Sequence, residues 1–197
     1  MEVGSYDPTP PAYPPPADQP NSASNQPFGP KTGGGMIFFA VGTERFPFDR
    51  LIRTADAVQE QLKDEPVFVQ LGPSGVIPQK CSWARLLSHS ELVDRLREAR
   101  MVVTHAGVGM LLLCVRLGKI PIMLPRQKRF GEHVDDHQIE LAMKMAQLGY
   151  ILLAEHPEEI APLLLNHHDR SPAPPMASSP VPELATALLA YLRGPQK

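Results

Sequence analysis

Six short apolar runs, at residues 36–41, 67–71, 83–87, 101–104, 120–124 and 150–153, alternate with stretches whose apolar residues recur at helical spacing. None of the runs alternates regularly with polar residues, which marks strands buried on both faces. Between the first two, Leu51, Ile52, Ala55, Val58 and Leu62 fall on one helical stripe within 48–62. Ser88 followed by Glu91 is a capping-box signature for a helix at 88–99. Further helices are expected at 107–117, closed by Gly118, at 135–148, closed by Gly149, and at 157–165. Strands and helices in alternation predict an α/β domain with a Rossmann-like, doubly wound parallel sheet.

The flanks read differently. Residues 1–35 hold nine of the 23 prolines, mixed with Ser, Asn and Gly, so neither helix nor sheet propagates and a disordered tail is expected. The folded domain is placed at 36–168. Residues 169–182, again rich in Pro and Ser, read as a linker, and 183–197 as a C-terminal helix with Leu184, Ala187, Leu188 and Tyr191 on one face. A lone helix of that length is marginal in water, so it is expected to dock on its own domain or on a partner. The net charge of −2 gives no electrostatic reason to bind nucleic acid. Cys81 and Cys114 form neither a CxxC pair nor a zinc spacing, and Cys114 reads as a small buried hydrophobe. No apolar stretch reaches the roughly 18 residues of a membrane helix, and no signal peptide is recognised at the N-terminus. The expected location is the cytoplasm.

In open parallel sheets, ligands bind beyond the carboxyl ends of the strands. Three loops there carry informative residues. In Thr104-His105-Ala106-Gly107-Val108-Gly109-Met110 a strand runs through a glycine-containing turn into a helix. Backbone amides at such a turn can approach an anion, the helix dipole favours it, and His105 can hydrogen-bond a phosphate oxygen. On spacing alone the turn reads either as a diphosphate cradle or as a tight reversal that merely needs glycine. It lacks the third glycine of a dinucleotide fingerprint, and no Walker lysine pattern exists. The second loop, from Pro125 to Gln138, joins Arg126, Lys128 and Arg129 to a cluster of Glu132, His133, Asp135, Asp136, His137 and Gln138. It reads as donor-sugar recognition, against a solvated helix start or a metal site, for which no completing ligand cluster is found. The basic trio would suit an acidic sugar or phosphates, or would face solvent. The third loop, Gly42-Thr43, follows the first strand and carries the weakest signal. No catalytic triad or nucleophile elbow is present.

Together the stretches "VGT" with "FDRL", "VQLG", "ARMVVTHAGVG" and "LGKIPIMLPRQKRFGEHVDDHQIELA" resemble glycosyltransferase family 28, specifically the C-terminal half of its two-domain enzymes. The resemblance runs from about Met36 to Leu165. The "GEHVDDHQ" string is similar to bacterial exopolysaccharide transferase subunits, and the whole is similar to the catalytic subunit of the split N-acetylglucosamine transferase of dolichol-linked oligosaccharide synthesis. It implies half of a GT-B fold that binds a UDP-sugar without an essential metal or other cofactor. It assigns Gly42, Thr43, His105, Ala106, Gly107, Val108, Gly109 and Met110 to the donor diphosphate. It assigns Arg126, Glu132, His133, Asp135, Asp136, His137 and Gln138 to the donor sugar. The catalytic residue is left unassigned. The activity implied is hexosyl transfer from a UDP-sugar to a polyprenyl-diphosphate-linked saccharide in exopolysaccharide synthesis. A second α/β domain for the acceptor has no room here, so a membrane-associated partner subunit is expected to supply it and to hold this chain peripherally at the inner membrane. Two positions depart from the pattern: relatives usually carry Ser or Thr where Met110 stands, and many carry a ribose-gripping Glu where Leu113 stands. The alternative is a non-catalytic scaffold subunit; a free-standing sugar-nucleotide epimerase of related fold is a weaker third.

Overall fold

The computed structural model describes residues 35–167, 184–186 and 188. The expected tail at 1–35, but for Gly35, and the linker at 169–182 lie outside the described residues. Six strands form one sheet: β1 (Met36–Ala40), β2 (Val67–Gln70), β3 (Ser82–Ala84), β4 (Ala99–Thr104), β5 (Ile122–Met123) and β6 (Leu152–Leu153). Their order is β3-β2-β1-β4-β5-β6 and every pairing is parallel. Among the described residues it is covered by helices α1 (Asp49–Gln61), α2 (His89–Glu98), α3 (Val108–Arg116), α4 (His137–Gln147) and α5 (Ile160–Asn166), and residues 184–186 and 188 are helical as well. This is the doubly wound α/β architecture that the apolar runs imply.

The apolar runs are explained by two-sided burial. Ile37 and Phe39 of β1 pack with α1 and α5 on one face, while Met36, Phe38 and Ala40 pack with Leu96 of α2 and Met110 and Cys114 of α3 on the other. Leu111 and Val115 of α3 meet Leu141, Ala142 and Met145 of α4 over Met123. Leu184 and Leu188 join that same cluster. The C-terminal helical pattern therefore docks on its own domain through the residues described.

Several boundaries differ from the sequence reading. The third strand is Ser82–Ala84 rather than 83–87, and Leu86 beyond it is 56% exposed. Helix α3 starts at Val108, with Gly107 as its N-cap. Helix α4 starts at His137 rather than Asp135, with Asp136 turned back onto the loop ahead of it and Asp135 accepting from the first amide of the helix. Asp136 accepts from the Lys128 amide at 2.8 Å, and Asp135 from the His137 amide at 3.2 Å. A 3₁₀ turn at Lys128–Phe130 occupies part of that loop, and another at Pro157–Glu159 precedes α5. The capping box at Ser88 forms with both of its hydrogen bonds.

From β1 the chain crosses to β2 on one side, and from β4 to β5 on the other. The loops leaving β1 and β4 therefore diverge, and a crevice opens between them at the carboxyl edge of the sheet.

Candidate functional site

Strands β1 and β4 are register neighbours, with Ala40 opposite Thr104. Their next residues, Val41-Gly42 and His105, therefore meet at the crevice. The His105 ring lies between two glycines: a Cβ on Gly42 would come 2.6 Å from its Cε1, and one on Gly107 would overlap its Nε2. Gly42 also has φ +89°, a left-handed conformation that other residues resist. The ring fits there only because both neighbours lack side chains.

Thr104 fixes the state of that ring. Its hydroxyl donates to the Ala40 carbonyl at 2.7 Å, which spends its only proton. The 3.3 Å contact between Thr104 Oγ1 and His105 Nδ1 must then be an N–H donation from the ring. Neutral His105 thus carries its proton on Nδ1 and leaves Nε2, beside Gly107, as an acceptor. Burial pushes the His105 pKa down to about 4, and the positive charges of Arg126 and His133 push the same way, against the Ala40 carbonyl. At neutral pH the ring is uncharged. It donates from Nε2 to an anion only after taking up a proton there.

The turn after His105 divides its amides. Gly107 N–H is consumed by the His105 carbonyl at 2.9 Å. The amides of Val108, Gly109 and Met110, in the first turn of α3, have no acceptor among the described residues. Three N–H groups and the positive end of a helix dipole therefore face the same crevice. The Met110 side chain turns the other way, into the core against Cys114, and Ala106 is buried in the cluster between α3 and α4. Any contact from Met110 or Ala106 to a ligand is through the backbone.

Gly42 and Thr43 play unequal parts. Gln70 holds Gly42 by both its groups: Oε1 accepts from Gly42 N at 3.0 Å, and Nε2 donates to Gly42 O at 3.2 Å. The Gly42 amide is therefore not available to a phosphate, and its contribution is the space it leaves for His105. Thr43 is exposed at the mouth.

The β5–α4 loop splits likewise. Arg126, expected to meet the donor sugar, is fully buried and bound to protein carbonyls: Val41 at 2.8 Å, Phe46 at 2.8 Å and Glu132 at 3.0 Å. Burial lowers its pKa to about 10, with the Glu132 and Glu44 carboxylates opposing, and it stays charged. Glu132 is buried too and receives Arg50 through two bonds of 3.0 and 2.9 Å, besides the Gln127 amide. Gln138 Oε1 accepts from the Arg126 amide at 3.2 Å. In this structure all three side chains brace the loop through protein partners. The four remaining residues stand at its open side. His133 contacts Asp135 at 2.9 Å, and His137 and Asp136 are exposed. Burial acts to raise the Asp135 carboxyl, but the His137 amide and the charges of His133 and His137 together hold it below the usual range. Among the described residues no group of three or more His, Cys, Asp or Glu is placed to hold a metal ion.

From sequence, Gln70-Leu71-Gly72 carries only a weak signal at the end of the second strand, Thr104 reads only as the start of its loop, and Arg50 is given no role. Gln70, polar at the end of an apolar strand, was the legible one; the roles of Thr104 and Arg50 depend on partners 64 and 82 positions away.

Comparison with known proteins gives one family. The model of the glycosyltransferase family 28 C-terminal domain matches residues 36–186. The UDP-N-acetylglucosamine transferase subunit ALG13 of Yarrowia lipolytica is 31% identical over 64 residues, which span 32% of this chain and 31% of that relative. Among solved structures, the glycotransferase of kitacinnamycin is similar with TM-score 0.56 at 16% identity, over 85% of this chain and 42% of its own. The solution structure of ALG13 is similar with TM-score 0.53 at 18% identity, over 79% of this chain and 95% of its own. At these identities the structures speak for the fold: the sheet is the C-terminal half of a GT-B architecture.

Proposed function

The chain belongs to glycosyltransferase family 28, and from that membership we propose that it is the donor-binding subunit of a two-component hexosyltransferase that draws on a UDP-sugar. The observation that carries the reading is the trio of unsatisfied amides at Val108, Gly109 and Met110, set beside His105 at the switch point of the sheet. In this reading the UDP diphosphate lies across the start of α3. Negative charge grows on the departing phosphate as the glycosidic bond breaks, and fixed N–H dipoles stabilise that charge with no reorganisation. The anion also raises the basicity of His105, so that Nε2 takes a proton and then donates to a phosphate oxygen. With the charge met in this way, no divalent metal is needed. His133, Asp135, Asp136 and His137 form the rim that meets the sugar, and Thr43 closes the mouth.

The acceptor is a polyprenyl-diphosphate-linked saccharide of exopolysaccharide synthesis, held by a membrane-associated partner that also supplies the base for its hydroxyl. No described helix is long and apolar enough to cross a membrane; in this reading the partner brings the chain to the inner membrane from the cytoplasm. The match to the Yarrowia lipolytica transferase subunit supports a subunit of this kind.

Calorimetric titration of the full chain with UDP tests the proposal. Binding in the micromolar to millimolar range, roughly 4 to 8 kcal/mol, is expected, and weakening by His105→Ala. A non-catalytic scaffold is the second reading. It is favoured by the first turns of α3, where Met110 and Leu113 pack toward the core and present no hydroxyl for a phosphate and no carboxylate for a ribose. UDP that fails to bind, with or without the partner, selects the scaffold.

A further inference from the structure

Arg126 is the largest side chain buried completely in this domain, and it is a cation. Removing such a charge from water costs several kcal/mol unless dense hydrogen bonding replaces the solvent. Here the replacement comes from carbonyls on separate segments. Nη2 donates to Val41 at the end of β1. Nη1 donates to Phe46 in the β1–α1 loop and to Glu132 in the β5–α4 loop, with Pro47 at 3.4 Å. The guanidinium lies 4.8 Å from the Phe48 ring centroid, while Nε has no partner among the described residues. The carboxylate that would be its natural counter-ion, Glu132, is held by Arg50. The arrangement thus spends one buried charge on tying two loops together above the sheet. Those loops are the walls of the crevice that holds His105.

We propose that Arg126 is a positioning residue: its forked guanidinium sets the separation of the β1–α1 and β5–α4 loops, and so the affinity for a nucleoside diphosphate, without touching the ligand. This rests on the donor-binding reading above. Lysine cannot substitute, because a single ammonium lacks the planar fork that reaches carbonyls on both loops at once. The cation has a second effect on the same site. It faces His105, as does His133 from the same loop, and both oppose protonation of the ring, whereas the Ala40 carbonyl of β1 favours it. Glu132 and Glu44 act in turn on Arg126.

Two variants of the full chain, Arg126→Lys and Arg126→Met, separate fork from charge. The probes are UDP, UDP-glucose and UDP-glucuronate by calorimetry, and the His105 ring titration by NMR. Arg126→Lys is expected to weaken all three ligands alike, by about tenfold to a hundredfold, with the His105 midpoint unchanged. Arg126→Met is expected to raise that midpoint while Arg126→Lys leaves it unchanged, a difference that mere loosening of the loops, which would hydrate the ring and raise both, does not produce; where Arg126→Met fails to fold, Arg126→Lys carries the test alone. Unaltered affinity in Arg126→Lys overturns the proposal. A loss confined to UDP-glucuronate also overturns it, by making Arg126 a direct contact to the sugar carboxylate. Wild-type chain that binds none of the three overturns the donor-binding reading, and this role with it, and is told apart by the wild-type titration itself.

Discussion

His105 sits between residues chosen for what they lack. A methyl group at Gly107 would overlap Nε2, and there φ is −94°, so backbone strain plays no part. Gly107→Ala is therefore expected to displace the ring and lower stability, whereas Gly109→Ala, whose Cβ would meet nothing within 4 Å, is expected to leave thermal stability unchanged or raise it. Equal melting temperatures for the two would show that the ring is not packed as described. The titration of His105 gives a second test. The folded ring is held near 4 against an ordinary 6.5. Between those values the unfolded chain takes up a proton that the folded chain refuses. Stability is therefore intact above about pH 6.5, falls as the pH drops toward 4, and loses about 3 kcal/mol to this residue in full. Urea midpoints measured across that window should fall less steeply for His105→Gln than for the wild type. Parallel slopes would mean that the ring is solvated.

At the scale of elements, helix and strand starts were legible where the chemistry is local. The Ser88 hydroxyl accepts from the Glu91 amide at 3.3 Å, and Glu91 returns the bond to the Ser88 amide at 2.8 Å, within four consecutive residues. Ser88→Ala should cost about 1 kcal/mol by chemical denaturation, with no change in UDP affinity. A variant as stable as the wild type would show that α2 is held by packing alone. The start of α4 was less legible, since Asp136 is diverted to the Lys128 amide of the preceding loop while Asp135 accepts from the His137 amide that opens the helix. The charged residues of 126–138 were also sorted only by the fold. Composition alone does not distinguish Arg126, which is buried, from Arg129, which is exposed; what separates them is that β5 delivers the first beneath the β1–α1 loop. The 105–110 turn was legible as a whole because strand, glycine and helix succeed one another directly, while the loss of the Gly42 and Gly107 amides to internal acceptors was not.

At the scale of the molecule, the sheet builds the crevice, and both faces must be filled for its edge to hold. The cluster under α3 and α4 is completed by Leu184, which is fully buried, and Leu188. Leu184→Ala is expected to cost about 2 to 5 kcal/mol and to loosen α3 and α4, read as faster amide exchange there than on the α1 face. Wild-type exchange in that variant would mean that the C-terminal residues add nothing to the domain. The most direct test of the account is a UDP titration of the isotopically labelled full chain, followed by NMR at single residues. Shifts centred on the Val108, Gly109 and Met110 amides and the His105 ring, saturating together, are the predicted result. Silence at those four residues under saturating UDP, or shifts gathered instead at the roughly 570 Å³ cavity lined by Arg53, Thr54, Gln61 and Glu158, would contradict it.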